Sequence, residues 1–305
     1  TDAQSSALRF FIPVELLVPR TPADSACVES FKNDLLEICA ARNNNVQLQV
    51  SDKANQRGYF DALKEQMDQA NPTVSQRIAW KTNDSGEIKT QDIIALVWIP
   101  LSLISPVKDH NGRVIEPVLA QNIYRNKGGC LKQFEKLMSS PNVTAETGDG
   151  YKHELCNAEV SSAFRIAVEL PALYDYIYEM FPKLYNAVGG SYGHITAVRS
   201  LNEKRKQITT PFSAREIETL SPDGYIVPLV YGLQALMEKR VVNGHYEIHW
   251  RQPPMPFLQQ NLEKIVANYA GLFSMCDYDP QKLGKNAQSY TQALGAFKMA
   301  LAGIL

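Results

Sequence analysis

Hydrophobic positions along the chain follow helical spacing over most of its length. Val28, Phe31, Leu35 and Ile38 recur at intervals of three and four, one face of a helix that opens at Thr21-Pro22 and ends near Ala41. Tyr59, Phe60, Leu63 and Met67 form the inner face of a second helix, capped by Ser51 or Asp52 and stopped by Asn71-Pro72. The run from Thr90 to Ile104 is apolar on most faces, which predicts a core helix ended or kinked at Pro100. Further helices are predicted over Leu131–Met138, over Val160–Phe181 with a restart at Pro171, and over Phe212–Leu220 and Tyr225–Lys239. At the C-terminus, Leu258, Leu262, Ile265, Tyr269 and Leu272 repeat the spacing later taken up by Tyr290, Leu294, Phe297, Leu301 and Ile304. With Asp279-Pro280 and Gly284 between them, these two stretches predict an antiparallel helical pair.

Strand signals are shorter. Ala7–Arg20 reads as a buried strand with Pro13 at an edge or bulge, and Val46–Val50 alternates apolar and amide residues. Arg77–Thr90 predicts a hairpin about Asn83–Gly86, and Asn243-Gly244 predicts a second one between two strand-like runs. Residues 106–126 read as irregular connection. The expected fold is α+β, predominantly α-helical with short strands and hairpins, in two lobes. Ser139–Gly150 is the most loop-like stretch and sets the expected boundary: an α+β domain over 1–140 and a mainly helical domain over 150–305.

Composition narrows the function classes. The 305 residues carry a net charge of −1, so no global electrostatic argument favours nucleic acid or a membrane. Residues 1–150 hold 16 basic and 18 acidic side chains and residues 151–305 hold 15 and 14, so neither half is a basic module. No apolar run approaches the roughly 20 residues of a membrane helix. Cys27, Cys39, Cys130, Cys156 and Cys276 lack metal-ligand spacing and read as buried or inert thiols in a reducing compartment.

Candidate chemistry is sparse. His245, Glu247 and His249 alternate on one predicted strand, so two imidazoles and a carboxylate share a face, a donor set that metals use. Tyr246, Ile248 and Trp250 take the opposite face, which equally makes the three polar groups the wet side of a half-buried hairpin. Val188–His194 is Gly-rich but lacks the phosphate-loop patterns, and reads as a break between helices. Arg199, Lys204, Arg205 and Lys206 could meet nucleic-acid phosphates or could form a solvated helix face. No nucleophile elbow, His-Glu-x-x-His helix or Cys-x-x-Cys pair occurs, and no cofactor is expected.

One stretch carries a family resemblance. Val14–Arg20, the helix to Ala41, the polar turn Arg42-Asn43-Asn44-Asn45, the segment Val46–Val50, the helix start Ser51-Asp52 and then Gln56 follow one another in the order seen in the AIPR (abortive infection phage resistance) family. Asn43 matches the family's asparagine, while Arg42 stands where Thr is usual and Asn45 where Gln is usual. The resemblance covers about Phe10–Ile104. It implies a bacterial, cytoplasmic protein of antiviral defence, with this chain corresponding to a region downstream of the family's nuclease-like part. The expected role is non-catalytic sensing or binding of nucleic acid or a phage component, without a membrane and with homo-oligomerisation open. Asn43, Asn44, Asn45, Gln47, Gln49 and Arg57 are the expected contacts, since amides both donate and accept hydrogen bonds. Two alternatives stand beside it: a metal-dependent nuclease or hydrolase assembled from dispersed carboxylates, and a structural module that oligomerises through the C-terminal helical pair.

Overall fold

The structure, a computed structural model, describes residues 50–81, 84–146, 153–187, 208–209, 216–217 and 223–303. The chain divides into two compact units, Thr1–Leu48 and Gln49–Leu305. The first unit lies outside the described residues, and with it the expected N-terminal strand, the following helix and the asparagine turn. The Gly-rich Val188–His194 lies outside them too. The second unit is α+β and mostly helical, and among the described residues its strands form two-stranded pairings.

The first helical stretch is two helices rather than one: α1 (Val50–Gln56) and α2 (Asp61–Ala70). Gly58 sits between them at φ +70°, a left-handed turn that glycine adopts without steric cost, so the chain turns while the predicted inner face survives. Tyr59, Phe60, Leu63 and Met67 are all buried. Asn71 ends α2 and its side chain accepts from the Val74 amide at 3.4 Å, capping the single turn α3 (Pro72–Ser75).

The predicted hairpin about Asn83–Gly86 does not form. β1 (Ile78–Ala79) and β2 (Ile88–Lys89) pair in parallel. The return segment crosses back over the first strand, where a Cβ on Gly86 would stand 2.4 Å from the Ala79 amide nitrogen. Helix α4 (Thr90–Leu101) follows at once and is buried on every face from Ile93 to Leu101. It is enclosed because α6 (Lys127–Met138) and α7 (Ala158–Ala167) both pack against it, and the Trp98 indole donates to the Cys130 carbonyl at 2.9 Å. Pro100 lies in the last turn, where its missing amide costs the helix one hydrogen bond and the helix ends one residue later.

Residues 106–126 are more ordered than their composition suggests. β3 (Val107–Lys108) and β4 (Val114–Ile115) form an antiparallel pair. The Asp109 carboxylate closes their turn by accepting from the Asn111 and Arg113 amides, each at 2.8 Å. The one-turn helix α5 (Asn122–Arg125) leads into α6, whose start is capped by Asn126. β5 (Thr144–Glu146) and β6 (His153–Leu155) pair across the loop-like stretch. The helix expected over Val160–Phe181 divides into α7 and α8 (Leu170–Ala187), with Pro171 in the first turn of the second.

Two helical expectations need correction. Glu216–Ile217 (β8) is a strand paired with Ile208–Thr209 (β7), not part of a helix over Phe212–Leu220. The helix expected over Tyr225–Lys239 is α9 (Asp223–Gly232), one 3-10 turn, and then strand β9 (Met237–Val242). The Asn243-Gly244 turn, with both residues at positive φ, sets β10 (His245–Trp250) in register with β9, and that pairing extends back to Met237.

The C-terminal pair forms as the spacing predicts. α10 (Pro254–Ala270) and α12 (Ala287–Ala302) run antiparallel: Phe257 stacks with Phe297 at one end, and Gln292 reaches the Asn268 carbonyl at the other. The short helix α11 (Pro280–Lys285) lies between them in sequence and is capped by Asp279.

Candidate functional site

The β9–β10 hairpin is seated on α7. Ile248 is 2% exposed, and its amide donates to the Ser162 hydroxyl at 2.7 Å, so the outer edge of β10 is covered by the helix there. Toward the turn the hairpin outruns its support. Tyr246 lies on the same strand face as Ile248 yet is 54% exposed, and its cross-strand neighbour Val241 is 65% exposed. The expected pattern, with Tyr246, Ile248 and Trp250 all turned inward, therefore holds only at the base.

Beside this overhanging tip lies an open cleft of about 440 Å³, bounded by the start of α7, the β3 segment and the hairpin turn. Lys108, Asn142, Cys156, Asn157, His245 and Tyr246 line it. The wall is held by internal bonds. Glu159, 8% exposed, accepts from the Ser105 amide and from the Ser105 hydroxyl at 2.8 Å, and lies 3.5 Å from the Lys239 ammonium. Lys239 also donates to Ser105 at 3.1 Å and sits 5.6 Å from the centre of the Tyr246 ring. Asn157 caps α7 by accepting from Val160 at 3.0 Å, and its amide donates to the Asn142 carbonyl at 3.1 Å. The one carboxylate of the wall is thus neutralised from within. Lys108, Cys156 and His245 have no hydrogen-bond or ion-pair partner at their side chains among the described residues.

The residues singled out in the sequence fare unequally. Asn43, Asn44, Asn45, Gln47, Gln49, Arg199, Lys204, Arg205 and Lys206 lie outside the described residues. Arg57 is exposed, with its guanidinium 3.9 Å from Glu135, a surface pair away from the cleft. The His245, Glu247 and His249 set separates. Glu247 binds the Arg165 guanidinium at 2.6 Å and stands 3.3 Å from His249, while His245 lines the cleft. Among the described residues no three His, Cys, Asp or Glu side chains are grouped to hold a metal ion.

The cleft itself draws on residues that sequence patterns passed over. Lys108 belongs to the stretch read as irregular. Cys156 is exposed, whereas Cys130 and Cys276 are buried as read from the sequence. Burial pushes the Cys130 thiol up to about 12. A local signal for Cys156 did exist: Asn157 followed by Ala158-Glu159 is a helix start, which puts the preceding residue just outside the helix. No described helix is long and apolar enough to cross a membrane. Comparison of the chain with protein-family models, with curated proteins and with solved structures finds no match.

Proposed function

We propose that this chain is a binding region of a bacterial antiviral defence protein of the abortive-infection type, and that it acts by contacting nucleic acid rather than by cutting it. The resemblance over Phe10–Ile104 supports the setting. The cleft between the hairpin tip and the start of α7 is the observation that carries the binding role. Its exposed side chains include a lysine, an imidazole and a tyrosine beside Asn142 and Cys156, and the carboxylate of Glu159 is already bound by Ser105 and Lys239. Such a surface offers positive charge for phosphate and a π-face for a base.

The test is a fluorescence-anisotropy titration of the chain with short labelled DNA and RNA at a series of salt concentrations. Affinity that falls with salt, by a slope of about −0.7 per neutralised phosphate of a single strand, is the expected result. Absence of binding at low salt, or binding indifferent to salt, contradicts the reading. In the defence setting, expression with the intact cleft is expected to lower phage plaquing, and a variant carrying Lys108→Glu and His245→Ala is expected to lose that protection.

A further inference from the structure

Two exposed apolar residues on a protein surface are ordinary when they lie apart. Val241 and Tyr246 do not lie apart. They are directly paired across the strands, toward the turn of the hairpin, and Tyr246 also lines the cleft. Nothing in the local sequence forces an aromatic ring into water there. The face that bears Tyr246 is the face that Ile248 buries two residues later, so the hairpin holds the ring in a set direction on a framework anchored by Ser162. The ring has the Lys239 ammonium 5.6 Å from its centre, and Lys108 stands on the cleft wall without an ion-pair partner among the described residues.

We propose that Tyr246 is a stacking platform for one base of single-stranded nucleic acid, with Lys108 meeting a phosphate of the same strand across the cleft. The inference rests on the nucleic-acid reading above and specifies its ligand. A duplex hides the faces of its bases within its own stack, and only an unpaired base can lie on a side-chain ring. The cleft, at about 440 Å³, falls within the roughly 300–1,000 Å³ of small-molecule pockets, room enough for one base beside the ring. The charge also fits: Glu159 is compensated by Lys239 before any ligand arrives, which leaves the Lys108 ammonium on the cleft wall for a phosphate.

The experiment uses the full chain and three probes: a labelled oligothymidine, the same strand annealed to its complement, and inorganic polyphosphate as a ligand with charge and no base. Oligothymidine is expected to bind more tightly than the duplex and to resist competition by polyphosphate at equal phosphate concentration. Tyr246→Leu is expected to weaken oligothymidine binding about 5- to 150-fold with an unchanged salt slope, as loss of one stacked base does, while Tyr246→Phe keeps most of the affinity. Lys108→Gln is expected to leave stacking in place and to reduce the salt slope by about 0.7. Because Tyr246 is exposed, these variants keep the parent's thermal midpoint, which is measured alongside. Single-strand binding that Tyr246→Leu leaves intact, or duplex bound as tightly as single strand, overturns the stacking role and leaves the nucleic-acid reading standing. A parent chain that binds none of the oligonucleotides overturns both.

Discussion

The Ile248 amide and the Ser162 hydroxyl, 86 positions apart in sequence, meet at 2.7 Å. Ser162 is fully buried in α7 and donates in turn to the Glu159 carbonyl at 2.7 Å. This bond replaces the third strand that the outer edge of β10 lacks, and it anchors the hairpin on which Tyr246 is carried. Ser162→Ala leaves a buried N–H unsatisfied and is expected to cost about 1–3 kcal/mol. Urea unfolding measures the loss, and amide exchange at Ile248 should accelerate; an unaltered midpoint and exchange rate would show that the bond contributes nothing.

Close backbone approach makes a second prediction. A Cβ on Gly224 would stand 1.7 Å from the Pro280 carbonyl oxygen, where α9 meets α11, so Gly224→Ala must push the two helices apart. A loss of more than about 3 kcal/mol, or failure to fold, is expected from such overpacking. Gly295, in α12, faces open space, and Gly295→Ala is expected to stabilise the fold by roughly 0.5–1 kcal/mol through helix propensity. Thermal midpoints of the two variants should move in opposite directions.

Buried phenols set an alkaline limit. Burial is the first cause that raises Tyr124 to about 12, and burial likewise raises Tyr174, Tyr269 and Tyr290. A phenol held above its unfolded value favours the folded, protonated state. Its contribution is fully present below about pH 10 and is lost as pH rises toward 12 and beyond. Ultraviolet titration should therefore show one group of tyrosines ionising near pH 10 and another ionising only as circular dichroism reports unfolding. A single normal transition in the folded protein would contradict the burial of these rings.

The thiols should separate by access. Iodoacetamide at mild alkaline pH is expected to modify Cys156 in the folded chain, while Cys130 and Cys276 react only after denaturation. Peptide mapping by mass spectrometry reads the order. Since Cys156 lines the cleft, its carbamidomethylation should also weaken oligonucleotide binding. Early modification of Cys130, whose thiol is held up by burial, would run against the packing of α6 on α4.

The periodic elements were the readable ones. Leu258, Leu262, Ile265 and Tyr269 lie on one face and are buried, and Ile93 to Leu101 form the core helix, because one helical face is a local property of spacing. The Asn243-Gly244 turn was readable because two successive positive-φ residues are a chemical requirement of that turn. Strand direction at Ile78–Ala79 was not, since a parallel and an antiparallel pair need the same short apolar runs and differ in where the connection travels. Met237 and Glu238 read as helix because the cross-strand partners that outweigh their propensity, Trp250 and His249, follow the turn.

The sequence by itself determined the mostly helical α+β character, the core helix from Thr90, the hairpin at Asn243-Gly244 and the C-terminal helical pair. Each rests on residues within a few turns of one another. Tertiary structure decided that the hairpin sits on α7 through Ser162, that Glu159 is bound by Ser105 and Lys239, and that Glu247 pairs with Arg165 beside His249 while His245 lines the cleft. It also decided that Tyr246 projects into solvent at a cleft shared with Lys108 and Cys156. These relationships join residues far apart in the chain. Burial at each depends on where a neighbouring element ends, and spacing along one element carries no record of that length.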